Sequence, residues 1–134
     1  MSTGYSVTPL AKKLGIKAGH TVVLLGCPAG WEIPELPVDV RISGTGIASA
    51  DVVVAFCPRR IAVETVTPYL SERLQPASAA WIAWPRRAGG HHSDISENLL
   101  RELLLPTGLV DVKVAALDLD WSGLKFVWRK ERRP

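Results

Sequence analysis

The chain is short of the residues that build covalent scaffolds and metal clusters. Of 134 residues only two are cysteine, Cys27 and Cys57, and three are histidine. Two thiols are too few for a disulfide framework, and no repeated CxxC supplies a zinc-type spacing. Apolar runs are also short. None approaches the roughly 18 residues of a membrane span, and the opening MSTGYSVTPL has neither a charged start nor a continuous hydrophobic stretch. The expectation is a soluble, cytoplasmic protein without a membrane partner. Internal repeats, low-complexity tracts and linkers are missing, so residues 1–134 read as a single domain.

An excess of one charge is nearly absent too. Sixteen Lys and Arg against 13 Asp and Glu give a net charge of +3. Residues 129–134 hold four of those bases and one acid, which leaves 12 of each sign in 1–128. The pI of about 9.1 is therefore expected to reflect a frayed basic tail, 129–134, on a neutral body. A nucleic-acid partner, which usually meets a broad basic face, is not expected.

What the chain does have is 47% hydrophobic residues, enough for one core. Residues 21–27 (TVVLLGC), 51–57 (DVVVAFC) and 79–84 (AAWIAW) are near-continuous apolar runs, as parallel strands buried on both faces require. Residues 38–42 predict a weaker edge strand. Residues 112–117 and 124–129 flank an Asp-Leu-Asp-Trp-Ser-Gly turn and predict an antiparallel pair.

Helical signals lie between the strands. Thr8 before Pro9 predicts an N-cap and Gly15 a helix end. Pro68 should break a helix over 60–74 into two pieces, with Tyr69, Leu70 and Leu74 facing the sheet. Asp94 and Glu97 have the spacing of a capping box, and Ile95, Leu99, Leu100, Leu103 and Leu104 form a buried stripe that ends at Pro106 and Gly108. Strand and helix thus alternate before a closing hairpin, which predicts a three-layer Rossmann-like α/β domain with a mostly parallel sheet of about six strands.

The segment VVLLGCPAG, 22–30, resembles the first strand and turn of class I S-adenosylmethionine-dependent methyltransferases, typically VLDLGCGTG. The lead-in LAKKLGIKAGH, the passage LSERLQPASAAWIAW and the final hairpin continue that resemblance. More closely, the chain from TPLAKKLGIK through AWPRRAGG and DISENLLRELLLPTGLVD to WSGLKFVWRK resembles a family of short bacterial proteins of unknown function related to that fold.

The resemblance implies the strand order 38–42, 21–27, 51–57, 79–84, 124–129, 112–117, with a truncated methyltransferase-like architecture. One link, 43–50, must then cross between parallel strands in fewer residues than the dozen or so usually needed. The cofactor motif is degenerate. Leu24 stands where the family has an acid at the first strand, Pro28 replaces the central glycine, and Ser43 and Gly44 stand where a ribose-binding acid would follow the second strand. WEIPELP, 31–37, is too short and proline-broken for the first long helix.

Three strands end in Cys27-Pro28, Cys57-Pro58 and Trp84-Pro85, and paired arginines follow two of them. Arg59, Arg60, Arg86 and Arg87 should therefore reach the crevice where open α/β sheets bind ligands. Guanidinium forks suit a carboxylate, phosphate or sulfate, and at least two of the four are expected to face one anion. Against this stands the reading of solvated surface pairs held by acidic neighbours. His91 or His92, on a glycine-rich flap, could add a contact, whereas a two-Cys, two-His metal site lacks a fitting spacing. Cys27 and Cys57 could approach each other at neighbouring strand ends, although parallel neighbours rarely give disulfide geometry. Trp31, after Gly30, could stack on a planar ligand or cover the sheet edge.

Trp81, Trp84 and Trp128 are expected in the core, Asp118, Asp120 and Ser122 in a turn, and Glu64 and Glu72 in solvated charge. No catalytic constellation emerges. The expected ligand-binding residues are Gly26, Cys27, Gly30, Trp31, Arg59, Arg60, Arg86, Arg87 and His91, in a non-catalytic module for a small anion or an acidic partner segment. No cofactor is expected on that reading. The alternatives are a reduced S-adenosylmethionine-dependent methyltransferase, which would bind that cofactor through 26–30 and Trp31, and a structural subunit that dimerises through a sheet edge or an apolar face.

Overall fold

The structure, a computed structural model, describes residues 8–133. Its centre is a six-stranded sheet ordered β2-β1-β3-β4-β6-β5, from strands β1 (Thr21–Leu25), β2 (Arg41–Ser43), β3 (Val52–Phe56), β4 (Ala79–Pro85), β5 (Leu109–Ala116) and β6 (Trp121–Trp128). The first four pair in parallel, and β6 and β5 run antiparallel. This is the expected order. β3 is buried at every position, so its VVVAF run supplies both faces of the sheet.

Two apolar layers result. On one face α2 (Arg60–Arg73) and α3 (Glu97–Leu104) cover Val53, Ala55, Ile82, Leu124 and Phe126. On the other, α1 (Leu10–Leu14) and the loop after β1 cover Val22, Leu24, Val54, Phe56 and Trp81. The two most deeply placed indoles are satisfied as well as packed: Trp81 Nε1 donates to the Leu14 carbonyl at 3.2 Å, and Trp128 Nε1 donates to the Leu74 carbonyl at 2.8 Å.

The link between β2 and β3 manages its short crossover with a single 3₁₀ turn, Ile47–Ser49. Gly46 enters it at φ 97° and Ile47 plugs the α2 side of the core. Gln75 and Ser78 then bond the carbonyls of Ala48 and Ala50. Side-chain anchors, with Ile47 and Ser78 buried and Gln75 exposed, do the work of a crossover helix.

Several local expectations are corrected. α2 is one continuous helix through Pro68. Proline removes the N–H that would reach the Glu64 carbonyl, and both Glu64 and Pro68 face solvent, where water can take over that bond. Thr67, just before that proline, is buried inside the helix and donates to the Val63 carbonyl at 2.7 Å. Leu70 and Leu74 face the sheet as expected, but Tyr69 is 46% exposed and lies under the Arg73 guanidinium.

The cap of α3 is Ser96, whose Oγ accepts the Leu99 N–H at 3.1 Å. Asp94 instead accepts the Arg60 N–H at 2.8 Å and so caps α2. At α1 the flanking residue is Pro9, without a side-chain cap, and Gly15 ends the helix at φ 80° as expected. β2 starts at Arg41 and not at 38, because Asp39 turns to φ 60° just before it. The tail is less frayed than expected. Lys130–Arg132 form a 3₁₀ turn, and Arg132 stacks 4.0 Å from the centre of the Trp128 ring.

Candidate functional site

The carboxyl ends of β1, β3 and β4 come to one edge of the sheet, with Leu25 beside Ala55 and Phe56 beside Ala83. This is the crevice to which open α/β sheets bring ligands. Its floor and rim come from four segments: the turn after β1, the start of α2, the loop after β4 and the β5–β6 turn.

The β1 turn is set by Gly26 at φ 63°, whose missing side chain leaves 3.1 Å between a Cβ and the Phe56 carbonyl. Gly30 follows at φ 78° in the open. Trp31 then folds back across the α1 face. Its indole Nε1 donates to Asp118 at 2.9 Å, and its ring meets Phe56 edge-on at 4.8 Å, which in turn meets Trp121 at 5.1 Å. Trp31 thus joins the β1 turn to the β5–β6 turn and covers the sheet.

The two cysteines separate. Cys27 packs with the α1-side layer and Cys57 with the α2/α3-side layer, both as free thiols, so the sheet stands between them. Burial pushes the Cys57 thiol up to about 12 and raises that of Cys27 as well. Neither is a poised nucleophile. Among the described residues no group of three His, Cys, Asp or Glu side chains is placed to hold a metal ion.

The four arginines have different surroundings. Arg59 flanks α2 in solvent, and Arg60 Nε is 3.2 Å from Glu64 on the exposed helix surface. Arg86 donates its backbone N–H to the Asp120 carbonyl at 2.7 Å. Arg87 alone of the four lines a cavity of about 230 Å³, shared with Trp84, His91, Ser93, Ser96 and Glu97. His91 Nε2 is also 2.9 Å from Asp120.

The glycine-rich flap is therefore tied down. It forms a 3₁₀ turn, Arg87–Gly89, and a side chain on Gly89 would run into the Leu119 carbonyl. Ser93 and Ser96 were not singled out from the sequence, and Glu97 only as half of a capping box. The signal was present in SDIS before the helix, where a serine caps the helix whose first residues line the cavity.

The positions that hold cofactor in the resembled family are altered in space as in sequence. Leu24 is buried, and the Ser43 hydroxyl is spent on the Thr45 carbonyl. Glu32 lines a separate cavity of about 320 Å³ with Trp31, Leu36 and Ile42. On the α2 side of the turn an apolar cavity of about 380 Å³ runs from Gly26 and Phe56 to Ile61 and Tyr69. No helix among the described residues is long and apolar enough to cross a membrane.

No protein-family model and no curated protein matches the chain. Solved structures do. Aeropyrum pernix fibrillarin with natively bound S-adenosyl-L-methionine superposes with a TM-score of 0.60 at 16% identity, over 88% of this chain and 73% of that one. A SAM-dependent methyltransferase from Aquifex aeolicus gives 0.60 at 14% identity, over 87% and 86%. A TehB-like SAM-dependent methyltransferase from Corynebacterium glutamicum gives 0.57 at 13%, over 94% and 90%. At such identities the likeness is one of fold. With four parallel strands, β6 reversed between β4 and β5, and these neighbours, this chain has the methyltransferase-like Rossmann fold.

Proposed function

We propose that the chain is a non-catalytic binding module that takes a small anionic ligand in the cavity at the end of β4. The carrying observation is the meeting there of Arg87, His91 and the serine-capped start of α3 around about 230 Å³. A guanidinium supplies fork-shaped donors, and a capped helix start supplies backbone N–H groups and the positive end of a dipole. Glu97, also in the lining, has its charge turned to Arg101 at 3.1 Å. The tied loop argues for a preformed site, which lowers the ordering cost of binding. Calorimetric titration with carboxylate, sulfate and phosphate ligands tests this. Saturable binding that weakens about tenfold in Arg87→Ala supports the reading; affinity unchanged in both Arg87→Ala and His91→Ala, for every anion that binds, ends it.

A second reading is a reduced methyltransferase. What favours it is the left-handed Gly26 turn at the end of β1, together with a natively bound S-adenosyl-L-methionine in one structural neighbour. Against it are the lost acids, Pro28 and a β1–β2 connection without a helix. S-adenosylhomocysteine separates the two readings. Micromolar affinity, about −8 kcal/mol, lost in Gly26→Ala and in Trp31→Leu, would establish a cofactor site; no heat up to about millimolar, near −4 kcal/mol, would remove it.

A further inference from the structure

Two lysines face each other on the α1 side of the sheet, opposite the face that carries the cavity, and a third follows α1 nearby. In the β5–β6 ladder Lys113 stands directly across from Lys125. Lys125 alternates with Leu124 and Phe126, which belong to the α2/α3 layer, so it projects to the α1 side. There its Nζ lies 3.4 Å from where a Cβ of Gly15 would be, and the glycine leaves that space open. Lys17, two residues further along, supplies the third charge. Lys13 has another task, since its Nζ donates to the Ala116 carbonyl at 3.0 Å and pins α1 to β5.

Like charges directly opposed across a ladder destabilise it. Among the described residues none of the three lysines has a carboxylate within ion-pair distance. The acid of β5, Asp111, is carried to the other face by the bulge between Asp111 and Lys113, where it pairs with Arg101 at 3.0 Å. Burial weakens the hold of Lys125 on its proton, and Lys113 and Lys17 weaken it further. A backbone irregularity thus takes the acid of β5 to the other face and leaves a half-buried Lys125 with the exposed Lys113 and Lys17 as its charged neighbours.

We propose that Lys17, Lys113 and Lys125 bind the phosphoryl oxygens of a compact polyphosphate anion. Ammonium groups are point charges with three donors, suited to phosphoryl oxygens approached from several directions. Three of them ask for more than one phosphoryl group. The charge balance of residues 1–128, 12 bases and 12 acids, favours a compact anion over a nucleic acid, which would need a wider basic stripe.

The test is titration of the full chain with inorganic tripolyphosphate at low salt, beside a phosphate-matched oligonucleotide. The expected result is one saturable site that weakens about tenfold or more in Lys125→Met and again in Lys113→Gln, and is untouched in Arg87→Ala. Lys125→Met should melt no lower than the parent, because it removes repulsion and keeps the aliphatic stem, so a loss of binding is not a loss of fold. Three results overturn the proposal: no saturable heat, binding lost only in Arg87→Ala, or an oligonucleotide that outcompetes tripolyphosphate with a salt dependence of many more than three contacts. The second would transfer the anion to the cavity at β4, and that reading survives failure of this one.

Discussion

Burial decides the chemistry of the Cys57 thiol. It is 1% exposed and ionises only at about 12 in the folded chain, against an ordinary value of 9.0. Below pH 9 the thiol is protonated folded or unfolded and contributes no pH dependence. Above it the unfolded chain releases the proton and the folded one does not, so stability falls as pH rises from 9 toward 12. The slope from one such proton is about 1.4 kcal/mol per pH unit. Urea unfolding at a series of pH values should show a decline in the parent that is shallower by that slope in Cys57→Ala, whatever the variant loses in packing. An identical slope in both would mean that Cys57 is hydrated. Sequence reading placed both thiols at strand ends correctly. Alternation along the strands would put both on the α2/α3 face, with Val23 and Leu25 on one strand and Val53 and Ala55 on the other; the left-handed turn at Gly26 takes Cys27 to the opposite face, and alternation alone does not show that.

Among the elements, α2 carries an avoidable weakness. Pro68 sits in its interior with no N–H for the Glu64 carbonyl, on the exposed side. Pro68→Ala restores that bond, and the gain is about 1–2 kcal/mol once the looser unfolded chain is allowed for. Thermal or urea unfolding checks it; a variant less stable than the parent would show that the helix needs its proline bend to reach the sheet. The same helix shows where local reading stops. Proline as a breaker and Asp94 as the cap of the following helix are both sound local rules. Yet Asp94 caps α2 from 34 residues away, and Ser96 takes over α3. A capping carboxylate does not declare which N-terminus it serves, because that depends on how two helices pack. Periodicity was more reliable: the stripe of Leu100 and Leu104 is fully buried, with Leu99 and Leu103 half-buried beside it.

At the scale of the whole molecule, Trp31 is a brace between distant parts of the chain. Its indole N–H meets Asp118 from 87 residues away, and its ring leans on Phe56 between them. Trp31→Phe removes the hydrogen bond and keeps most of the ring contact, at a cost of about 1 kcal/mol. In a double-mutant cycle with Asp118→Asn the coupling should be of similar size, and additive losses would show the bond to be absent in solution. Strand order was legible because apolar runs and the family resemblance agreed. The mouth was less so. The PRR repeats follow β3 and β4 as read, but of their arginines Arg60 pairs with Glu64 and Arg87 lines the cavity, which is finished by serines with no conspicuous spacing.

The position of β6 between β4 and β5 also has a consequence in time. On the ribosome β5 emerges first, yet its place in the sheet does not exist until β6 has been made and inserted beside β4. Until then Val112 and Val114, 52% exposed even in the finished fold, belong to a strand with open hydrogen-bonding edges on both sides. The nascent chain must hold a four-stranded parallel sheet with one edge waiting until β6 is made, and that interval is when it is most open to chaperones and to mispairing.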